Sequence, residues 1–116
     1  MTKFLISLLL LVGTQASLHV AGIQGKWTGF VDTQIGQFPM TVVYEVNGNQ
    51  LSGYFEETSG ENPFEGGLIS GDTFEYSCSG NGYTFTHKGV VTGDTIYLNW
   101  SNPSLGEGTG KLARVE

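Results

Sequence analysis

His87 is the one histidine placed within the patterned part of the chain, since His19 precedes it. An imidazole nine residues after the lone cysteine, Cys78, is the smallest set that makes a thiol nucleophile and its base. Glu57 and Glu65 are the residue type that acid–base pairs at glycosidic bonds require. Glu65 with His87 is a second acid–base combination. Tyr44, Tyr76 and Trp100 would add aromatic walls with polar tips, as small-molecule sites commonly have. No Gly-x-Ser-x-Gly elbow, P-loop or dinucleotide fingerprint occurs, and the histidines and cysteine lack zinc-ligand spacing. No metal or cofactor is expected.

Whether these side chains meet depends on the elements that carry them. Phe38, Met40, Val42, Tyr44 and Val46 alternate with residues such as Thr41 and Glu45, and a period of two is a strand. The 18 glycines are too closely spaced for helices, where each internal one costs about 1 kcal/mol. Three segments share one form: Val46-Asn-Gly-Asn-Gln-Leu51, Ile69-Ser-Gly-Asp-Thr-Phe74 and Val91-Thr-Gly-Asp-Thr-Ile96. Their glycines, Gly48, Gly71 and Gly93, are 23 and then 22 residues apart, which is two strands and two turns. Each segment signals a tight hairpin.

Eight strands follow: 25–33, 38–47, 50–58, 64–70, 73–79, 83–92, 95–101 and 108–115, with 102–107 read as a mobile loop. The fold class is all-β, an eight-stranded antiparallel up-and-down barrel, because closure of a meander removes its edges. A two-sheet sandwich is the alternative.

The chain opens Met-Thr-Lys3 and then runs apolar from Phe4 to Val12, too short to span a bilayer but the length of a secretory leader. Small residues at Thr14 and Ala16 place cleavage after Ala16, giving a signal peptide over 1–16 and one domain over 17–116. Export to the periplasm or medium is expected. The formal charge of −6 becomes −7 once Lys3 leaves with the leader. Such a surface repels nucleic acid and anionic membranes, and a single thiol has no internal disulfide partner.

Gly25-Lys26-Trp27 at the start of the first strand resembles the Gly-x-Trp signature of lipocalins and avidins. The resemblance implies an up-and-down barrel in which a basic residue of the last strand, here Arg114, covers Trp27 and plugs one end. Leu51-Ser-Gly-Tyr54 is similar to a third-strand segment of avidins, but the tryptophans that stack on biotin there have no counterpart. Gly25-Lys-Trp-Thr-Gly29 with Gly36-Gln-Phe-Pro39 also resembles the opening of the haem-binding nitrobindin barrels, without a histidine that aligns with their haem ligand. The Gly-x-Trp and Gly-Asp-x-Ile pattern is similar to small secreted bacterial domains of no known activity.

The turn-anchored register puts Val46, Ile69, Val91, Leu51, Phe74 and Ile96 inside, near the Gly-Asn and Gly-Asp turns. Stepping away by twos keeps the inner face and reaches Glu57, Glu65, Tyr76, Cys78, His87 and Trp100 at the far end. Glu65 is expected opposite Cys78, and His87 opposite Trp100. The inward glycines Gly53, Gly67 and Gly89 would leave space or allow strong coiling. Polar groups facing into one barrel end suggest a wet mouth or an internally satisfied network. The reading is a non-enzymatic barrel binding a small amphipathic or aromatic ligand through Tyr76, His87, Trp100, Glu65, Tyr44 and Glu57. The alternatives are a secreted protein-interaction or inhibitor domain using rim loops 56–61 and 101–107, and an enzyme using His87 and Glu65.

Overall fold

A computed structural model describes residues 22–115. The expected leader and its cleavage point lie outside the described residues. Eight strands run in chain order: β1 Gly25–Thr33, β2 Gly36–Asn47, β3 Gln50–Glu57, β4 Gly60–Ser70, β5 Thr73–Gly80, β6 Tyr83–Thr92, β7 Thr95–Asn102 and β8 Gly106–Arg114. Each pairs antiparallel with the next, and β1 pairs with β8 from Trp27↔Arg114 to Val31↔Gly110, so the meander closes into a barrel and the sandwich is excluded. This is the architecture that the resemblance to lipocalins and avidins implies.

The repeated turn sequences set the register as their chemistry requires. Val46 pairs with Leu51, Ile69 with Phe74 and Val91 with Ile96. Gly48, Gly71 and Gly93 take φ of 67°, 60° and 62°, the left-handed conformation such two-residue turns demand. These turns, with the described N-terminal residues, close one end of the barrel.

That end is sealed by Trp27, which is fully buried. Its indole Nε1 donates to the Ile23 carbonyl at 2.8 Å, and Ile23 is itself completely covered. The Arg114 guanidinium lies 4.4 Å from the Trp27 ring centroid. Its nitrogens donate to the carbonyls of Gln24 and Gly22 and to the Asp94 carboxylate. The plug is therefore a layered one: aliphatic side chain, indole, then a cation over the ring's negative face.

Above the plug the interior is solid. Val42, Tyr44, Leu51, Ile96, Leu98 and Leu112 are at most 2% exposed. The inward glycines leave no space, because neighbouring side chains and backbone carbonyls occupy it. A Cβ on Gly89 would stand 2.6 Å from the Phe74 ring, and one on Gly53 would stand 3.2 Å from the Phe64 ring.

The expected inward position of Glu65 is overturned. Gly66 takes φ of 83° and the β3–β4 register shifts between Leu51 and Gly53. One residue is thereby absorbed as a bulge, which flips the faces of the strand before it. Phe64 is buried in the place assigned to Glu65, and Glu65 is exposed on the outer wall. It has no pairing with Cys78: β4 and β5 are paired only from Leu68↔Glu75 to Ser70↔Thr73.

The expected mobile loop 102–107 is also corrected. Asn102 is buried at the end of β7. Its Oδ1 accepts from the backbone N–H groups of Ser104 and Leu105, and its amide donates to the Thr84 carbonyl at 2.8 Å. The segment is a short capped turn pinned to β6.

Candidate binding cavity at the open end

Opposite the plug the strands part. β1 leaves β8 beyond Val31, and β2 joins β3 only from Val42 onward. Residues 32–37 therefore pair only with one another, and residues 38–41 pair only with 28–31 of β1, so that 32–41 form a hairpin flap extending beyond the barrel wall. Between this flap and the barrel body lies a cavity of about 560 Å³. The flap contributes Thr33, Ile35, Phe38 and Met40, and the body contributes Phe55, Glu57, Cys78, Phe85, His87 and Trp100. The lining is mostly apolar and aromatic, with polar groups at the rim, which is the composition of a small-molecule site.

The flap is tied down on one side. Trp100 pairs with Gly108 of β8, and its indole reaches across that glycine to donate from Nε1 to the Asp32 carbonyl at 3.0 Å. A Cβ at position 108 would stand 2.4 Å from that carbonyl oxygen and 2.6 Å from the indole nitrogen. Only glycine admits the crossing. Trp100 thus shows its ring, not its N–H, to the cavity.

Beneath the cavity four groups form a chain. Tyr44 Oη is 2.6 Å from Tyr76 Oη, which is 3.0 Å from His87 Nδ1; His87 Nε2 is 3.6 Å from Cys78 Sγ. The proton order follows from counting donors. The Tyr44 hydroxyl is fully buried with Tyr76 as its partner, so leaving its proton unbonded is the costly choice. Tyr44 therefore donates to Tyr76, Tyr76 donates to Nδ1, and the imidazole carries its proton on Nε2, pointed at the Cys78 sulfur. The cysteine proton is left over, and a thiol is the cheapest donor to leave unbonded.

Burial sets the charge states in this chain. It lowers His87 from 6.5 to about 4, so the imidazole is neutral near pH 7. Burial, with the Glu57 charge adding to it, pushes the Cys78 thiol up to about 12. Both tyrosines are raised above their usual value by the same desolvation. A neutral thiol beside a neutral imidazole is a poor nucleophile pair.

The candidate residues thus divide. His87, Trp100 and Glu57 line the cavity, and His87 stands opposite both Tyr76 and Trp100 as the turn register implies. Tyr44 and Tyr76 lie under the floor, outside the lining, with their hydroxyls engaged by each other and by His87. Glu65 is on the outer wall, so the Glu65–His87 and Glu57–Glu65 acid–base pairs are not assembled. Sequence reasoning missed Phe38, Asn62 and Ile35. Phe38 continues the inward parity of β2 and was legible; Asn62 turns inward only through the bulge at Gly66. Among the described residues no cluster of three or more His, Cys, Asp or Glu side chains is placed to hold a metal ion. No family model matches the chain, and no curated protein matches it.

Proposed function

We propose that this domain is a binding barrel that takes a small ligand with an aromatic or apolar body into the cavity under the flap. The observation that carries the reading is the contrast between the two ends. One is plugged solid by Ile23, Trp27 and Arg114, while the other holds about 560 Å³ of apolar-walled space. A protein of this size gains nothing in stability from a cavity, since unfilled volume costs packing energy. The leader-like start at residues 1–16 supports work outside the cytoplasm, which an N-terminus at Ser17 on the exported protein would test.

The neutral fluorophore N-phenyl-1-naphthylamine tests the cavity. Saturable binding at one site per chain, with energy transfer from tryptophan, is the expected result. Fluorescence that rises without saturation, or that is unchanged by narrowing the cavity with Met40→Trp, sinks the reading. A second reading, a protein-interaction domain, has one observation in its favour. Ile35 is 86% exposed at the flap tip, with Phe38 and Leu105 also exposed around the mouth. Probe failure combined with capture of a partner lost on Ile35→Ser would favour it.

A further inference from the structure

We propose that the ligand carries a positive charge, and that it binds with its apolar body inward and its cationic group at the rim beside Glu57. This rests on the binding-cavity reading and specifies the chemistry of that site.

Among the described residues only two charged ones line the cavity, Glu56 and Glu57, and both are acidic. They differ in what holds them. Glu56 is taken up by Lys26, whose Nζ is 3.0 Å from its carboxylate. Glu57 has no cationic partner among the described residues. Its Oε2 accepts from the Asn62 amide at 3.2 Å, and the same amide donates to the Ser79 carbonyl at 2.7 Å. Asn62 thus bridges the gap where β4 and β5 have parted, and it steadies a carboxylate that keeps its negative charge uncompensated. That charge is felt inside, since it contributes to raising the Cys78 thiol.

The floor fixes the orientation. The polar atoms there are engaged with one another: Tyr44 with Tyr76, Tyr76 with His87, and His87 with Cys78. The Trp100 N–H is spent on Asp32. In the depth of the cavity a ligand's polar end finds only the weak Cys78 S–H donor, which a cationic donor cannot use, and an unpaired polar group is costly there. Its apolar end meets Phe55, Met40, Phe85 and the Trp100 ring. The polar end is left at the mouth, where Glu57 waits. The chain's net charge of −6 reinforces the preference by drawing cations and repelling anions. The ligand class is a primary or quaternary ammonium on an aromatic or aliphatic body.

The test uses three probes with one ring: 1-naphthylmethylammonium, 1-naphthylmethanol and 1-naphthylacetate, measured by calorimetry in low salt. The ammonium should bind about five-fold more tightly than the alcohol, and the acetate more weakly still, a range suited to a partly exposed pair. Glu57→Gln should bring the ammonium-to-alcohol ratio close to one. Glu65→Gln, which removes the same charge from the outer wall, should leave the ratio intact. Raising the salt to 0.5 M should shrink it. Equal binding of all three probes, or a ratio indifferent to Glu57→Gln, overturns the cationic assignment and leaves the cavity reading standing. Absence of saturable binding by the neutral alcohol overturns both.

Discussion

Trp100 on β7 and Asp32 on β1 are joined by a hydrogen bond of 3.0 Å that passes over the intervening strand at Gly108. The bond lies just beyond the point where β1 and β8 stop pairing at Val31↔Gly110. It is therefore the clamp at the root of the flap, and the ring that makes it also walls the cavity. Trp100→Phe keeps most of the wall but removes the donor. Amide exchange in residues 33–37 should speed up in that variant, while the plugged end keeps its protection. Unchanged exchange would show that the flap is held by its own hairpin. Gly108→Ala should be worse than Trp100→Phe, because its Cβ would collide with both bonded partners.

The opposite end should behave as one unit. Trp27→Ala removes a wholly buried indole and should destabilise by about 3–5 kcal/mol. Arg114→Ala should cost less, since the guanidinium is partly solvated. The two losses should not add: with the ring gone, Arg114 has lost its cation–π contact, and a double-mutant cycle in urea should show coupling above about 0.5 kcal/mol. Additive losses would mean that the cation's contacts with Gln24 and Asp94, not its place over the ring, account for its contribution.

The two floor tyrosines should be unequal. Tyr44 sits at the start of the donor chain, so Tyr44→Phe removes one donor and leaves Tyr76 still bonded to His87. A loss of about 0.5–1.5 kcal/mol is expected. Tyr76 is the middle link, so Tyr76→Phe strands both the Tyr44 hydroxyl and His87 Nδ1. Its cost should be about 2–4 kcal/mol, from two buried unpaired groups. Equal costs in thermal or urea unfolding would refute a chain with Tyr76 as its middle link.

Much of this was legible in the chain because turn chemistry repeats. Gly48-Asn49, Gly71-Asp72 and Gly93-Asp94 fix three hairpins, and alternation from each turn places Tyr76, His87 and Trp100 indoors without further information. Counting by twos fails where the backbone absorbs a residue. The Gly66-Gly67 pair is the visible trace of that bulge, but a double glycine does not say which of its residues is extra, so Glu65 and Phe64 exchange faces. The flap was illegible for a different reason. Residues 32–41 alternate like any strand pair, and only the loss of β8 beside 32–33 and of β3 beside 36–41, a property of those other strands, frees them. The Asn102 cap is intermediate: Asn-Pro-Ser reads as a turn, whereas its anchor on Thr84 is a tertiary contact.

His87 should give the protein a stability that falls in acid over a defined window. An unperturbed imidazole titrates between about pH 5 and 8. Burial moves that titration in the folded state down to about 4, while the unfolded chain keeps the ordinary 6.5. Between these values the unfolded state binds the proton and the folded state does not, so stability decreases as pH falls from 6.5 to 4 and levels off below. The full effect is about 3 kcal/mol at 1.36 kcal/mol per unit. Urea midpoints from pH 4 to 7 should therefore slope more steeply in the wild-type protein than in His87→Gln, the carboxylates contributing equally to both. Ligand affinity, by contrast, should show no His87 step between pH 6 and 8, because the folded imidazole is already neutral there. Parallel slopes for the two proteins would place the imidazole in contact with water. Its nitrogens would then be free to bond the ligand, and the closed hydrogen-bond chain beneath the cavity would have to be abandoned.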